Sequence, residues 1–443
     1  MAHNDIAALD PSVAERWTTD LVGAAHDLVD ADVRGLVRIS SDVVLAFRHA
    51  DVRGLTVAGD SGNTPVDVLM RRAGDRGAVV HPDGGFFPIV SNQVFSYNPP
   101  LHPEARRILT RQMTPLKASR FRPLADRLVA ELLTELAGRS SFDLCAEFAH
   151  RLAARFWGAL VGLDRDECEE MQAITEVLAT VFLLAPTPAE ADALDRAVRR
   201  YMEMITEAVD RAMRQRDKSN IDSLGLDLLG DMAADLAAVD VPGAPQSVGL
   251  LAAGNFFDGF HTMGVGLANA ICLLLSTPEA YDRVRTDRTL AAAAYDEATR
   301  LAPPLTLTHR YALSDIDHGD VVIPSGTMIA MHWAAANTDP AVFDDPLEFH
   351  LDRSTRGLMT FGGGPHLCPG RNISRLVGEL ALSAIIGQPG TLSIGDEGPQ
   401  WMAAASAAQL RSCRITHTHG TASRAASPTT TPPTPPLAPP HRG

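Results

Sequence analysis

Between residues 101 and 300, apolar positions recur three and four apart, the spacing that lines one face of a helix. The segments PEARRILTRQM, FRPLADRLVAELLTEL and ALDRAVRRYMEMITEAVDRAMRQ show it, as does AERWTTDLV nearer the start. The longest candidate is Ala244 to Thr277. At about 1.5 Å per residue it would run roughly 50 Å, enough to cross a whole domain. Its most apolar part, Leu250 to Leu275, carries Asn255, Asp258, His261 and Asn269, which predicts a buried core helix rather than a membrane span. Gly254, Gly259, Gly264 and Gly266 lower its helix propensity and would let another body, such as a flat cofactor, come close.

The texture differs on either side. The first hundred residues are short segments punctuated by Pro and Gly. After residue 300, DVVIPSGTMIAMHW predicts a hairpin turning at Pro324, Ser325 and Gly326. A Pro- and Asp-rich meander (NTDPAVFDDPLEFHLDR), a glycine-rich loop (FGGGPHLCPG) and a helix (RNISRLVGELALSAII) follow. The last stretch is Pro/Thr-rich with almost no large apolar residues, so residues 419–443 are expected to be a disordered tail on a domain spanning 1–418. No internal repeat is visible.

Composition narrows the function classes. The formal net charge of −15 argues against broad nucleic-acid binding, which needs basic patches. MAHNDIAALDPSVAERW has no basic segment followed by an apolar run, so no signal peptide or membrane anchor is expected, and the cytoplasm is the expected compartment. Cys145, Cys168, Cys272, Cys368 and Cys413 are an odd, scattered set without a CxxC pair, which suits neither a disulfide framework nor a zinc ribbon.

Cys368 is different in its surroundings. Gly362, Gly363, Gly364, Pro365 and Pro369 keep the backbone irregular and allow main-chain N–H groups to point at the sulfur, as a metal-bound thiolate requires. Taken alone, the loop is also readable as a surface turn with a buried thiol. With Phe361, Gly364, His366, Cys368 and Gly370 in this spacing, however, it resembles the haem-ligand signature of cytochromes P450. EATR (Glu297 to Arg300), HPEAR (His102 to Arg106) and FHLDR (Phe349 to Arg353) resemble three further segments of that family in the same order. The resemblance covers roughly residues 10 to 418 and implies a mainly α fold, one large helical domain with small β-sheets.

It also implies chemistry. Cys368 would be the metal ligand of haem b, iron protoporphyrin IX, and a thiolate there favours cleavage of the O–O bond. His102, Arg106, Arg310 and His366 form a cationic set suited to two haem propionates, with Phe361 and Gly370 completing the cofactor loop. Glu297 and Arg300, one helical turn apart, would pair and with Arg353 lock the meander behind the loop. The implied activity is that of a monooxygenase using O2. No nicotinamide or flavin fingerprint is visible, so electrons are expected from a ferredoxin and ferredoxin reductase. Arg106, Arg107, Arg111, Arg371 and Arg375 would offer a basic docking face.

The long helix departs from the family. Registered on LANAICLLLSTPE, its Asp258-Gly259-Phe260-His261-Thr262 falls where the family places Ala/Gly-Gly-x-Asp/Glu-Thr. Thr262 keeps the threonine position, His261 takes the acid's place and Asp258 that of a small residue near the iron. Three readings stand open. Asp258 and His261 form a rebuilt catalytic proton relay with Thr262. Alternatively, Asp258 binds a polar or cationic group of the substrate. Or the helix is locally slipped and Asp258 is the family acid. Substrate-facing candidates are Phe86, Phe87, Val90, Phe182, Phe257, Leu305, Thr306 and Ala404, none of which names a substrate. A small organic substrate in secondary-metabolite tailoring is the expected setting. The altered relay keeps open a non-hydroxylating haem reaction (oxidative coupling, desaturation or nitrogen-centred rearrangement), and a catalytically silent haem-binding partner protein is the remaining alternative.

Overall fold

The helix-period segments form helices whose ends are set by identifiable groups. Arg122–Glu135 starts with Pro123 in its first turn, where the missing N–H is no loss. Arg165–Leu178 opens on a capping box between Asp164 and Glu167. His150–Val161 stops at Gly162, whose φ of +88° is left-handed. The long helix is Val248–Leu275, shorter at both ends than expected, because the Ser247 side chain accepts from Leu250 N and fixes the start. Its 28 residues are matched by the 28 of Pro188–Gln215, so it is not the longest alone. This computed structural model describes residues 6–8, 29, 35–75, 84–182, 187–215, 222–402 and 406–418. The AERWTTDLV segment and the Pro/Thr-rich tail lie outside them.

The long helix is the axis of the fold. It packs against His150–Val161, Pro188–Gln215, Ala291–Leu301 and Arg371–Ile386. Among the described residues it is the one helix long and apolar enough to cross a membrane, and 78% of its most apolar window is buried inside the protein. Asn269, the polar residue at its core, donates to Ala302 O (3.1 Å) and Ala408 O (2.7 Å). The glycines do allow another body to come close, as the sequence suggested, and at three of them that body is protein. A Cβ at Gly254 would meet Asn92 O at 2.5 Å, one at Gly259 the Trp157 ring at 2.5 Å, and one at Gly264 His150 Nδ1 at 2.4 Å. They admit a loop and two aromatic side chains from neighbouring elements.

A five-stranded sheet flanks the helices. Leu36–Ser40 pairs with Val43–Ala46, which runs parallel to Met328–His332, followed by Leu307–Ala312 and the short Ser61–Gly62. The hairpin predicted around Pro324–Gly326 does not form. Val321–Ile323 pairs back on Ile316–His318 through the Gly319–Asp320 turn, with Gly319 at φ +63°, while Met328–His332 is buried throughout as an inner strand of the larger sheet. Chain reversal at Gly326 (φ +84°) therefore separates two sheets rather than joining two partners.

Candidate active site

The cysteine loop is shaped by close approach to the end of helix His49–Val57. Gly364 has φ +61°, and a Cβ there would lie 2.1 Å from Thr56 O. Cys368 N donates to Phe361 O at 2.9 Å, closing the loop. Helix Arg371–Ile386 begins directly after it, so the N–H groups of Gly370 and Arg371 point at the sulfur, at a helix end that favours negative charge. Burial pushes the Cys368 thiol up to about 11, the nearby Asp258 carboxylate adds to this, and the Gly370 N–H and the Arg106 guanidinium oppose it. A metal cation is what would convert such a sulfur to the thiolate.

Beside the loop stand four cationic or potentially cationic groups. The His102 and His366 rings are 4.2 Å apart. Arg106 donates to Leu367 O, and Arg310 reaches in from strand Leu307–Ala312. Burial and the neighbouring guanidiniums push His102 down to about 4 and His366 to about 3, and Arg310 falls to about 10 chiefly by burial, with Arg106 adding to it. No acid is among the charged groups acting on these three. His102 Nε2 and Arg310 Nε are buried without a hydrogen-bond partner. A crowded cationic set with orphaned donors, next to a partly buried sulfur, fits a cofactor carrying carboxylates and a thiolate-bound metal.

Behind the loop, Arg300 Nε and Nη2 bind both Glu297 oxygens at 2.8 Å, and Arg353 Nε binds Glu297 Oε1 at 2.9 Å. His350 N donates to the same oxygen at 2.9 Å. Arg300 also donates to the carbonyls of Asn337 (3.0 Å), Pro346 (2.6 Å) and Glu348 (2.9 Å). Burial pushes Glu297 up, but these contacts outweigh it and its pKa falls below the usual range. Asn337 then carries the order forward, through Met359 N (2.7 Å) and Thr360 Oγ1 (3.0 Å), to the start of the cysteine loop.

Above the loop the long helix runs as continuous α-helix with no bulge from Val248 to Leu275. In its middle, Asn255, Asp258, Gly259 and Thr262 are the positions not buried, a three-to-four spacing that marks one open face. Asp258 is the exposed residue of this face and lies within electrostatic reach of Cys368 and Tyr201. Burial pushes its carboxyl up to about 6, against the pull of a 2.8 Å hydrogen bond from Gln93 Nε2. Thr262 Oγ1 donates to the Asp258 carbonyl at 2.6 Å. His261 sits off this face. It is buried and stacked at 6.4 Å on His150, and burial with His150 beside it lowers it to about 3, with Gln409 opposing the shift.

Phe257 packs edge-on against Phe86 (5.6 Å) and Tyr201 (5.2 Å), and Val90 is buried nearby in the same core. Phe87 is partly exposed. Leu305 is half-buried, while Thr306 is fully buried, bonded through its backbone to Ser406 and Ala334, which makes it packing rather than cleft wall. The Phe182 side chain and Ala404 lie outside the described residues. The expected basic docking face is largely committed: Arg107 pairs with Glu104 (2.7 Å), Arg111 with Asp235 (2.7 Å) and Arg375 with Asp296 (2.6 Å). The sequence did not single out Gln93, His150, Gln409 or Asp296, and gave Asn255 no role beyond a polar position in the long helix. Each acts across a long sequence separation, where no local pattern marks it.

The model of the cytochrome P450 family matches residues 169–388. The 6-deoxyerythronolide B hydroxylase of Saccharopolyspora erythraea is 30% identical over 299 residues, 67% of this chain and 70% of the hydroxylase. Cytochrome P450 107B1 of the same organism is 29% identical over 353 residues, 78% of this chain and 81% of the relative. A solved structure of cytochrome P450epoK with epothilone B bound superposes with a TM-score of 0.77 at 22% identity, covering 94% of this chain and all of that one. The chain belongs to the cytochrome P450 family. It is accordingly an oxidoreductase of the monooxygenase class that uses a haem, dioxygen, redox partners and a substrate.

Proposed function

We propose that the chain is a cytoplasmic, bacterial-type monooxygenase that oxidises a small natural-product substrate, with haem b as its cofactor and a ferredoxin with its reductase as electron source. One observation carries this reading: a partly buried Cys368 sulfur lies within electrostatic reach both of Arg106, a member of the cationic set, and of Asp258 on the open face of the long helix. When bound, a thiolate-ligated haem supplies oxygen activation. His102, Arg106, Arg310 and His366 hold the propionates, and Phe361 and Gly370 shape the loop that presents Cys368. Glu297, Arg300 and Arg353 are positioning residues. Thr262 stands on the open face, where it holds a proton at Oγ1. Residues 1–418 form the working domain. The natural-product setting is supported by a hydroxylase relative named for 6-deoxyerythronolide B and a fold neighbour crystallised with epothilone B.

The test is the reduced, CO-bound absorption spectrum. Wild type is expected to show the red-shifted Soret band of thiolate ligation, and Cys368→Ala to lose it. A wild-type band at the histidine-ligated position overturns the assignment. A second reading, a haem reaction without hydroxylation, is favoured by the buried, neutral His261 at the place of the family's acid. Product analysis with ferredoxin and reductase separates the two.

A further inference from the structure

We propose that Asp258 is the anchor for a basic nitrogen of the substrate, so that this face takes amphiphilic amines: an ammonium head on an apolar body. The proposal deepens the haem-enzyme reading and rests on it for the location of the reacting centre.

The carboxylate is held in place rather than merely present. Gln93 Nε2 donates to Asp258 Oδ2 at 2.8 Å. The strand of chain carrying Gln93 is itself fixed to the long helix on both sides: Asn255 Nδ2 donates to Asn92 O at 3.0 Å and Asn255 Oδ1 accepts from Val94 N at 2.9 Å. Gly254 permits this contact, since a Cβ would sit 2.5 Å from Asn92 O. One carboxylate oxygen is thus tied to an amide, and the residue is exposed.

No cation is among the groups acting on Asp258. Tyr201, its neighbour, commits its hydroxyl to Ala253 O at 2.9 Å. A carboxylate held in one orientation by a single amide, accessible and without a positive partner, is the complement of a ligand ammonium. Beside it Phe86, Phe257 and Tyr201 pack edge to face in the apolar core, with Phe86 and Phe257 keeping a small exposed fraction. A proton-relay role fits less well. The group bonded to the carboxylate is an amide donor, Thr262 Oγ1 turns to the backbone carbonyl of Asp258, and His261 stacks on His150 off the open face.

The experiment is calorimetric titration of the haem-loaded protein with 4-phenylbutylamine, its N,N,N-trimethylammonium derivative, which cannot coordinate iron, and 4-phenylbutanol. In wild type both cations are expected to bind about tenfold or more tightly than the alcohol, the equivalent of ~1.4 kcal/mol. Asp258→Asn is expected to bring all three within about twofold while leaving alcohol binding and the red-shifted CO band unchanged. Gln93→Leu, which releases the carboxylate, is expected to reduce the preference partway. No preference in wild type overturns the proposal, as does a preference that persists in Asp258→Asn. If that variant does not fold, an unchanged ratio in Gln93→Leu overturns it. A normal CO band with no cation preference defeats this proposal alone. A missing band with the preference intact defeats the haem reading alone.

Discussion

Two carboxylates, the buried Glu297 and the accessible Asp258, are treated in opposite ways. Glu297 receives Arg300 through two bonds, Arg353 through one and the His350 N–H through a fourth, and its pKa is held below the ordinary range despite burial. Asp258 receives one amide, and its pKa rises to about 6. A buried charge whose lone pairs are all answered by the protein is scaffolding. A carboxylate that the protein holds in position but leaves short of countercharge is arranged for something that arrives later. The cationic set of His102, Arg106, Arg310 and His366 is the positive counterpart of Asp258: its members depress one another and orphaned donors remain.

The largest effect is expected where the pairing is complete. Arg300→Ala leaves Glu297 buried with a partly exposed Arg353 as its remaining guanidinium, strips the Asn337 and Pro346 carbonyls of their Arg300 donor and leaves the Glu348 carbonyl to Arg353 alone. A loss of about 3–5 kcal/mol in urea unfolding is expected, with loss of bound haem. A cost below ~1 kcal/mol would mean the network is no more than a surface pair and would break the comparison. Asp258→Asn, by contrast, is expected to keep or slightly raise stability, since it removes an under-satisfied charge.

Acid sensitivity comes next. Burial depresses His150 from 6.5 to about 4, and His261 beside it falls to about 3. Between these values and 6.5 the unfolded chain binds protons that the folded chain refuses. Stability is therefore complete above pH 6.5 and declines as pH falls towards 4, by roughly 3 kcal/mol for a shift of His150's size. Urea midpoints across that window measure it, and His150→Gln is expected to flatten the slope. An equal slope in that variant would assign the decline to other groups. Gly364→Ala follows: a left-handed φ and a clash with Thr56 O are expected to destabilise the cysteine loop by about 1–3 kcal/mol, read as a weakened red-shifted CO band.

The same contrast explains what was legible in the sequence. Helices such as Arg371–Ile386 follow from periodicity and fall where the pattern places them. The pairing of Glu297 with Arg300 was readable from a three-residue spacing, and the spacing of the cysteine loop carried the family. The hairpin at Pro324–Gly326 was misread because a turn signal says that the chain reverses, not which strand waits for it. Met328–His332 is drawn to Val43–Ala46 and Leu307–Ala312 by burial on both faces. The helix glycines were legible only in part, for a related reason. Composition announces a close approach without naming the visitor, here Asn92, Trp157 and His150. Gln93 could not be tied to Asp258, 165 residues away, by any local rule.

The smallest effect tests whether burial and complete pairing, rather than the mere presence of an ion pair, is what distinguishes the Glu297 region. Arg107 and Glu104 make a 2.7 Å contact at i, i+3 on helix Leu101–Gln112, as short as those of Arg300, but both side chains are about half exposed. Water answers their charges almost as well as they answer each other, and side-chain ordering offsets much of what remains. Arg107→Ala is therefore expected to move the urea midpoint by the equivalent of about 0.5 kcal/mol or less, with the CO spectrum unchanged. A loss approaching that of Arg300→Ala would show that contact distance, not desolvation, sets the energy of these pairs, and the contrast between Glu297 and Asp258 would lose its physical basis.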